Sequence, residues 1–157
     1  MNRKGLITGP GLDRFADEAI LLLRLYLGGF LVWGVSDNVT SAARMGEFQG
    51  FLAALGCPFP AVAAPVSVYA QLLIGVLLVP GLLARWAGLL LAVNFLVAVT
   101  LLATGLEAPG EVVAREVFGP MMCVLAGLVL ATHGPGRWSA DAQIGRASCR
   151  ERVCLYV

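Results

Sequence analysis

Residues 19–35 read AILLLRLYLGGFLVWGV, a run in which Arg24 is the only charged side chain. A segment of this length and composition predicts a membrane-spanning helix, because about 20 apolar residues cross about 30 Å of hydrocarbon. An arginine near the centre of such a helix costs at least about 2.5–3.5 kcal/mol. We therefore expect Arg24 either to have a polar partner on another helix or to reach the lipid headgroups.

The composition of the whole chain is typical of a membrane protein. The chain has 157 residues, of which 59% are hydrophobic and 13% are charged. Soluble domains usually carry about 45–50% apolar and about 25% charged residues. The length fits one domain. A net charge of +1, with no basic patch that contains interleaved aromatic residues, argues against a nucleic-acid partner.

The chain offers few groups for metal or covalent chemistry. Its four cysteines, at positions 57, 123, 149 and 154, form no Cys-x-x-Cys pair, and His133 is the only histidine. We therefore expect no metal site and no covalently bound cofactor. A catalytic triad, a phosphate-binding glycine loop and a carboxylate pair are absent at usable spacing. This pattern predicts no catalytic residues and no enzyme activity of the chain on its own.

Three further apolar runs follow the first, and the predicted spans cover residues 17–35, 61–83, 86–106 and 113–132. The connections between them are short, which favours antiparallel neighbours. The expected fold is all-α, an integral membrane four-helix bundle with up-down-up-down topology. This domain would cover residues 1–142.

The connection between the first two spans contains an amphipathic pattern. Its apolar residues recur with helical spacing, at Phe48, Phe51, Leu52 and Leu55. The pattern predicts a short helix before the Cys-Pro-Phe-Pro turn at residues 57–60. We interpret this helix either as an interfacial helix in the plane of the membrane or as a loop helix that faces the core.

Positive charge is distributed unevenly about the predicted spans. One side carries Arg3, Lys4, Arg14, Arg85 and Arg137, and the other carries only Arg44 and Arg115. Lysine and arginine accumulate on the cytoplasmic side of membrane proteins. We therefore expect a multi-pass protein with both termini in the cytoplasm.

The strongly polar interior residues of the spans are Arg24, Gln71 and Asn94. Their depths, at 1.5 Å per residue, allow the three to meet in the inner half of the bundle. Arg24 has five N–H donors, and each amide has a carbonyl oxygen that can accept one. We predict a buried cluster of these three residues that binds an anionic or quinone-like ligand. In the alternative interpretation, Arg24 snorkels to the cytoplasmic interface and the amides make ordinary contacts between helices.

Four segments resemble, in order, the DoxX family. Residues 24–30, RLYLGGF, are similar to the opening pattern of that family, and residues 55–60, LGCPFP, are similar to its Leu-Gly-x-Pro-x-Pro turn. Residues 81–85, GLLAR, and 134–141, GPGRWSAD, resemble its second-helix turn and its ending. The resemblance implies a four-helix protein of the bacterial inner membrane. Relatives include the small DoxD subunit of a thiosulfate:quinone oxidoreductase.

Two departures from these relatives bear on function. The family commonly has glutamate where this chain has Gln71, and an amide cannot ionise, so the resemblance does not support a proton relay here. Another group of relatives carries paired cysteines for the maturation of methylamine dehydrogenase. This chain lacks such a pair, and disulfide chemistry is therefore not expected.

The resemblance favours an accessory or anchoring subunit of a quinone-linked membrane redox system. Such a protein would lie in the lipid bilayer, contact a redox-enzyme partner subunit and take quinone as its ligand. The alternatives are a small transporter that acts as a homo-oligomer and a structural or stress-related protein without a ligand. The spans show no convincing internal repeat, which ranks transport lower.

The last residues differ in character from the rest of the chain. Residues 145–154 contain three arginines and two cysteines without a clear amphipathic stripe. We interpret residues 143–157 as a non-native tail that resembles translated adapter sequence, and exclude it from functional reasoning. The alternative is a basic tail that binds anionic lipid.

Overall fold

The computed structural model describes residues 15–146, and this part of the chain is helical without strands. The helices are α1 (Ala16–Thr40), α2 (Ala42–Ala54), α3 (Pro60–Leu78), α4 (Ala84–Gly105) and α5 (Gly110–His133). Residues 140–146 form a further short helical segment. α1, α3, α4 and α5 are long and apolar enough to cross a membrane. The predicted four-span, all-α membrane fold is therefore confirmed.

The first span is longer than the apolar run that predicts it. α1 continues to Thr40, whereas the predicted span ends at residue 35. The hydroxyls of Ser36 and Thr40 donate to helix carbonyls at 2.7 and 2.8 Å, so both polar side chains are satisfied within the helix. The chain then becomes extended at Ser41, whose side chain accepts from the Arg44 amide and caps α2.

The second span is shorter than predicted, ending at Leu78 instead of residue 83. Pro80 has no N–H to continue the helical hydrogen bonds. Gly81 and Leu83 then adopt positive φ values of 72° and 50°, which reverse the chain. The result is a tight α3–α4 turn that leaves the first amides of α4 without partners in their own helix.

The four spans alternate in direction, so each span is antiparallel to the next span in the chain. α1 packs on α3, α3 on α4 and α4 on α5, while α2 packs on α1 and α3. The α1 and α5 N-termini thus lie at opposite ends of the bundle. One end, here called the terminal end, carries the start of α1, the α3–α4 turn and the end of α5.

Glycines mark the closest approaches between spans. A Cβ on Gly28 would lie 2.9 Å from the Gly75 carbonyl oxygen across the α1–α3 interface, and a Cβ on Gly88 would lie 2.7 Å from the Gly127 carbonyl oxygen across the α4–α5 interface. Without side chains at these positions the two backbones can touch. The bundle therefore contains two tightly packed helix pairs.

The predicted short helix between the first two spans is confirmed as α2. It covers the end of the bundle opposite the terminal end, and Leu52 and Leu55 of its apolar stripe are buried. Phe51 from the same stripe remains half exposed. The stripe therefore faces the protein, while the polar side of α2 faces outward.

Parts of the predicted organisation lie outside the described residues. Of the predicted tail, residues 143–146 belong to the final helical segment, and residues 147–157 are not described. The N-terminal arm, with three of the basic residues used for orientation, is likewise outside the described range. The domain limit at residue 142 and the assignment of the tail stay predictions.

Candidate functional site

A cavity of about 440 Å³ lies between α2, α3 and α4. Its walls are aliphatic and aromatic, with Phe48 and Phe51 of α2 on one side and Phe95 of α4 on another. The polar side chains that line it are Ser67, Gln71 and Asn94. This combination of an apolar enclosure with a few convergent polar groups is typical of a small-molecule site.

The three polar side chains of the cavity form one hydrogen-bonded chain, here called the amide cluster. Ser67 and Gln71 are four residues apart and therefore share a face of α3. Gln71 Nε2 donates to Ser67 Oγ at 3.1 Å, and Ser67 Oγ donates to Asn94 Oδ1 of α4 at 3.0 Å. The cluster links α3 to α4 and holds both amides at the cavity wall.

Two polar atoms of the amide cluster remain free for a ligand. Within the described part of the chain, Gln71 Oε1 and Asn94 Nδ2 make no hydrogen bond, and both residues are partly exposed. One of these atoms is an acceptor and the other carries two donor protons. The cavity thus presents one acceptor and one donor among apolar side chains.

A second cavity of about 570 Å³ adjoins the first toward the end of the bundle that carries α2. The two share Phe51, Leu55 and Leu102 as lining residues. The outer cavity is also lined by Glu107 and Glu116. A route from the bundle end to the amide cluster would therefore pass these three apolar side chains.

Arg24 does not join the amide cluster, so the predicted contact between Arg24 and the two amides is wrong. Its side chain is fully buried, and its Nη2 donates to the backbone carbonyl of Trp138 at 2.5 Å. Helical side chains point back toward the helix N-terminus. The guanidinium is therefore directed toward the terminal end, away from Gln71 and Asn94. The ligand-binding role of these two amides stays a prediction.

The alternative, in which Arg24 snorkels to the cytoplasmic interface, requires exposure that the structure does not show, because Arg24 is fully buried. Arg24 extends toward the terminal end, but residues 134–141 cover it. A Cβ on Gly81 of the α3–α4 turn would collide with Arg24 Nη1. Arg24 Nε and Nη1 are buried without a hydrogen-bond partner among the described residues. The guanidinium is thus enclosed by protein with only part of its donor capacity used.

Residues 134–141 form a C-terminal clasp on the α3–α4 turn. The Asp141 carboxylate accepts from the amides of Leu83 and Ala84 at 2.9 and 3.1 Å. The amide of Ala140 donates to the Pro80 carbonyl at 3.0 Å. Because Leu83 provides no capping side chain for α4, Asp141 supplies that cap from a distant part of the sequence.

The clasp is also tied to the start of α1. The Arg137 amide donates to Asp17 Oδ1 at 2.9 Å. Ser139 is buried, and its hydroxyl donates to the Gly136 carbonyl at 2.8 Å. In the sequence, residues 134–141 resemble the ending of the family, but that resemblance does not predict which residues they contact. The available signals were an acidic residue, Asp141, and an α4 start that lacks its own capping residue.

The described residues contain no group of three or more histidine, cysteine, aspartate or glutamate side chains that could hold a metal ion. Cys57 and Cys123 are free thiols, the first partly exposed and the second buried. His133 is the last residue of α5, and its Nδ1 lies 3.3 Å from the Thr132 hydroxyl. The other two cysteines lie outside the described residues.

Comparison with known proteins identifies one family. A family model described as DoxX matches residues 19–104, which is more than half of the chain and includes α1 to α4 almost entirely. No curated protein and no solved structure matches the chain. The matched region contains Arg24 and the whole amide cluster, whereas the C-terminal clasp follows it.

Proposed function

The chain belongs to the DoxX family, and we propose that it is an accessory or anchoring subunit of a quinone-linked membrane redox system. In this proposal the cavity between α2, α3 and α4 binds the quinone head group at the amide cluster. The observation that carries it is the pair of free polar atoms, Gln71 Oε1 and Asn94 Nδ2, in an otherwise apolar cavity.

The chemistry of a quinone matches the two free atoms. An oxidised ring has carbonyl oxygens that accept from Asn94 Nδ2, and a reduced ring has hydroxyls that donate to Gln71 Oε1. The cavity volume of about 440 Å³ lies within the usual range of about 300–1,000 Å³ for small-molecule sites. The apolar walls suit the ring methyl groups and the first part of an isoprenoid tail.

The neutral state of the cluster determines the role that we assign to it. Neither Gln71 nor Asn94 can gain or lose a proton at ordinary pH. We therefore propose that this cavity holds and orients quinone while a partner subunit carries out electron transfer. The quinone and the partner are proposals that extend the family assignment.

The orientation in the membrane is part of the same proposal. We place the chain in the bacterial inner membrane with the terminal end in the cytoplasm. Arg85 and Arg137 are exposed at that end, and Arg3, Lys4 and Arg14 precede α1 in the sequence. Labelling of a cysteine introduced at Glu18 with a membrane-impermeant reagent should occur only after the cells are opened.

Replacement of either amide by leucine is expected to weaken quinone binding about tenfold, which corresponds to the loss of one hydrogen bond of about 1.4 kcal/mol. Asn94→Leu and Gln71→Leu keep side chains of similar size in the cavity. The measurement is equilibrium binding of decylubiquinone to the purified chain in phosphatidylcholine nanodiscs. Decylbenzene, which has the tail without the carbonyls, should bind equally to all variants.

Thr100→Val is the matched control for these variants. Thr100 is exposed on the same helix as Asn94, and its hydroxyl donates within α4 to the Val97 carbonyl at 2.8 Å. This variant removes a polar group from α4 but not from the cavity, and should bind decylubiquinone as the unmodified chain does. Equal affinity in the two leucine variants and the control would reject the proposed quinone site.

A further inference from the structure

A second candidate binding site lies at the terminal end, separate from the amide cluster. We propose that Arg24 and the first amides of α4 form a site for a phosphate group. In this structure Asp141 of the clasp occupies the site. The phosphate of an anionic lipid takes its place when the clasp lifts. The proposal does not depend on the quinone assignment.

The Asp141 carboxylate already shows how an anion is held there. Its two oxygens accept from the Leu83 and Ala84 amides at 2.9 and 3.1 Å. These amides belong to the N-terminal end of α4, where unpaired N–H groups and the helix dipole attract negative charge. The Arg24 side chain also reaches the α3–α4 turn, where its Nη1 lies against Gly81.

The Arg24 guanidinium is the independent indication of a ligand. It is 0% exposed, and its Nε and Nη1 have no hydrogen-bond partner among the described residues. Its Nη2 is used by the backbone carbonyl of Trp138. A buried cation with unmet donors is costly, since each unmet donor loses its hydration without compensation. The clasp therefore provides hydrogen-bond partners for only part of the Arg24 guanidinium.

A phosphate group would satisfy this site better than the Asp141 carboxylate does. It has more acceptor oxygens, so it can receive the two α4 amides and also a pair of guanidinium N–H groups. In this structure the Asp141 oxygens accept from the two backbone amides, and Arg24 Nε and Nη1 stay without a partner among the described residues. This difference favours exchange of the internal carboxylate for an external phosphate.

The surroundings of the site indicate a lipid as the source of the phosphate. Trp86 and Trp138 are 71% and 61% exposed at the terminal end, as is typical of side chains at the membrane–water interface. Arg85 and Arg137 are exposed beside them and would attract anionic headgroups. The clasp thus lies at headgroup level, with its Trp138 side chain directed outward.

Hydrogen exchange on the unmodified full chain tests the exchange of anions. In nanodiscs of phosphatidylcholine alone, the peptide with Ala140 and Asp141 and the peptide with Leu83 and Ala84 should both be protected. With added phosphatidylglycerol, the first peptide should exchange about tenfold faster while the second stays protected, because the α4 amides keep an anionic partner. Unchanged protection of the clasp would overturn the proposal.

A third sample distinguishes the two sources of phosphate. Dissolved glycerol 3-phosphate is added to the phosphatidylcholine nanodiscs. No effect of the dissolved compound supports a lipid ligand. An effect as large as that of phosphatidylglycerol would overturn the lipid as the source. Loss of protection in both peptides together would overturn the site itself, because the α4 amides would then have no new partner.

A variant pair measures the affinity of the site directly. Asp141→Asn removes the internal anion, which then no longer competes with the lipid phosphate for a charge-assisted contact. Retention of phosphatidylglycerol in native mass spectrometry should therefore increase about tenfold. Glu18→Gln removes the same charge from an exposed position at the same end and should leave retention unchanged. Equal retention in the two variants would overturn the proposal. If Asp141→Asn fails to fold, the hydrogen-exchange result on the unmodified chain decides.

Discussion

Arg24→Ala is expected to lower the free energy of unfolding by about 2–4 kcal/mol, since truncation of a large, fully buried side chain leaves a cavity. The variant also leaves the Trp138 carbonyl without its donor. An unsatisfied buried carbonyl costs about 1–3 kcal/mol. Removal of two unmet guanidinium donors returns part of this loss. The expected readout is a lower melting temperature in mild detergent and faster trypsin cleavage after Arg137.

Two comparison variants separate the causes of this effect. Arg115→Ala removes an exposed arginine from α5 and should change stability by less than about 0.5 kcal/mol. Arg24→Met keeps most of the side-chain volume, and should be more stable than Arg24→Ala while cleavage after Arg137 remains fast. If Arg24→Ala were as stable and as resistant to trypsin as Arg115→Ala, the clasp would not depend on Arg24.

The four spans could be predicted because their signal is local. Length and apolar composition alone determine whether a segment can cross the hydrocarbon layer, and each predicted span overlaps one long helix. The predicted ends of the first two spans, residue 35 and residue 83, were less accurate, and the two errors have different causes. Beyond its apolar part α1 continues through polar residues, whose hydroxyls are satisfied by helix carbonyls, whereas Pro80 and the positive φ of Gly81 end α3 early.

The partner of Arg24 could not be predicted from depth along the helices. Depths within the same half of the bundle allow contact between side chains, but depth says nothing about the direction in which a long side chain extends. Its actual partner, the Trp138 carbonyl, is a backbone group 114 residues away in sequence, and every residue presents such a carbonyl. A backbone acceptor has no residue-type signature, so sequence reasoning selected the visible amides instead.

The amide cluster was predictable in part for the opposite reason. Gln71 and Asn94 are polar side chains in apolar spans, and such residues usually find each other across a helix interface. Ser67, which joins them, lies one helical turn before Gln71. The cavity beside them was not predictable, since its third wall is α2. The position of a short connecting helix depends on tertiary contacts that no local pattern specifies.

Gly127→Leu is expected to disrupt the α4–α5 pair, in which the backbones of two spans are in direct contact. A Cβ on Gly127 would lie 2.6 Å from the Gly88 carbonyl oxygen and 2.9 Å from the Ala92 amide nitrogen. These neighbours are backbone atoms, which cannot rotate away as the end of a side chain can. Overpacking in a rigid core costs about 1–3 kcal/mol and occasionally more. We expect the cost for leucine at this position to lie at the upper end of that range, because the backbones of α4 and α5 must move apart.

Gly119→Leu makes the same substitution elsewhere on α5. A Cβ at Gly119 would meet nothing within 4 Å, so the added side chain would extend into lipid without a clash. Both variants should be expressed, solubilised in mild detergent and compared by melting temperature, with a marked decrease for Gly127→Leu alone. An equal decrease in both would mean that α5 itself is weakened. No decrease in either would mean that α4 and α5 do not pack through their glycines. Because membrane helices gain little from apolar surface alone, we expect this direct backbone contact between two spans to tolerate added volume poorly.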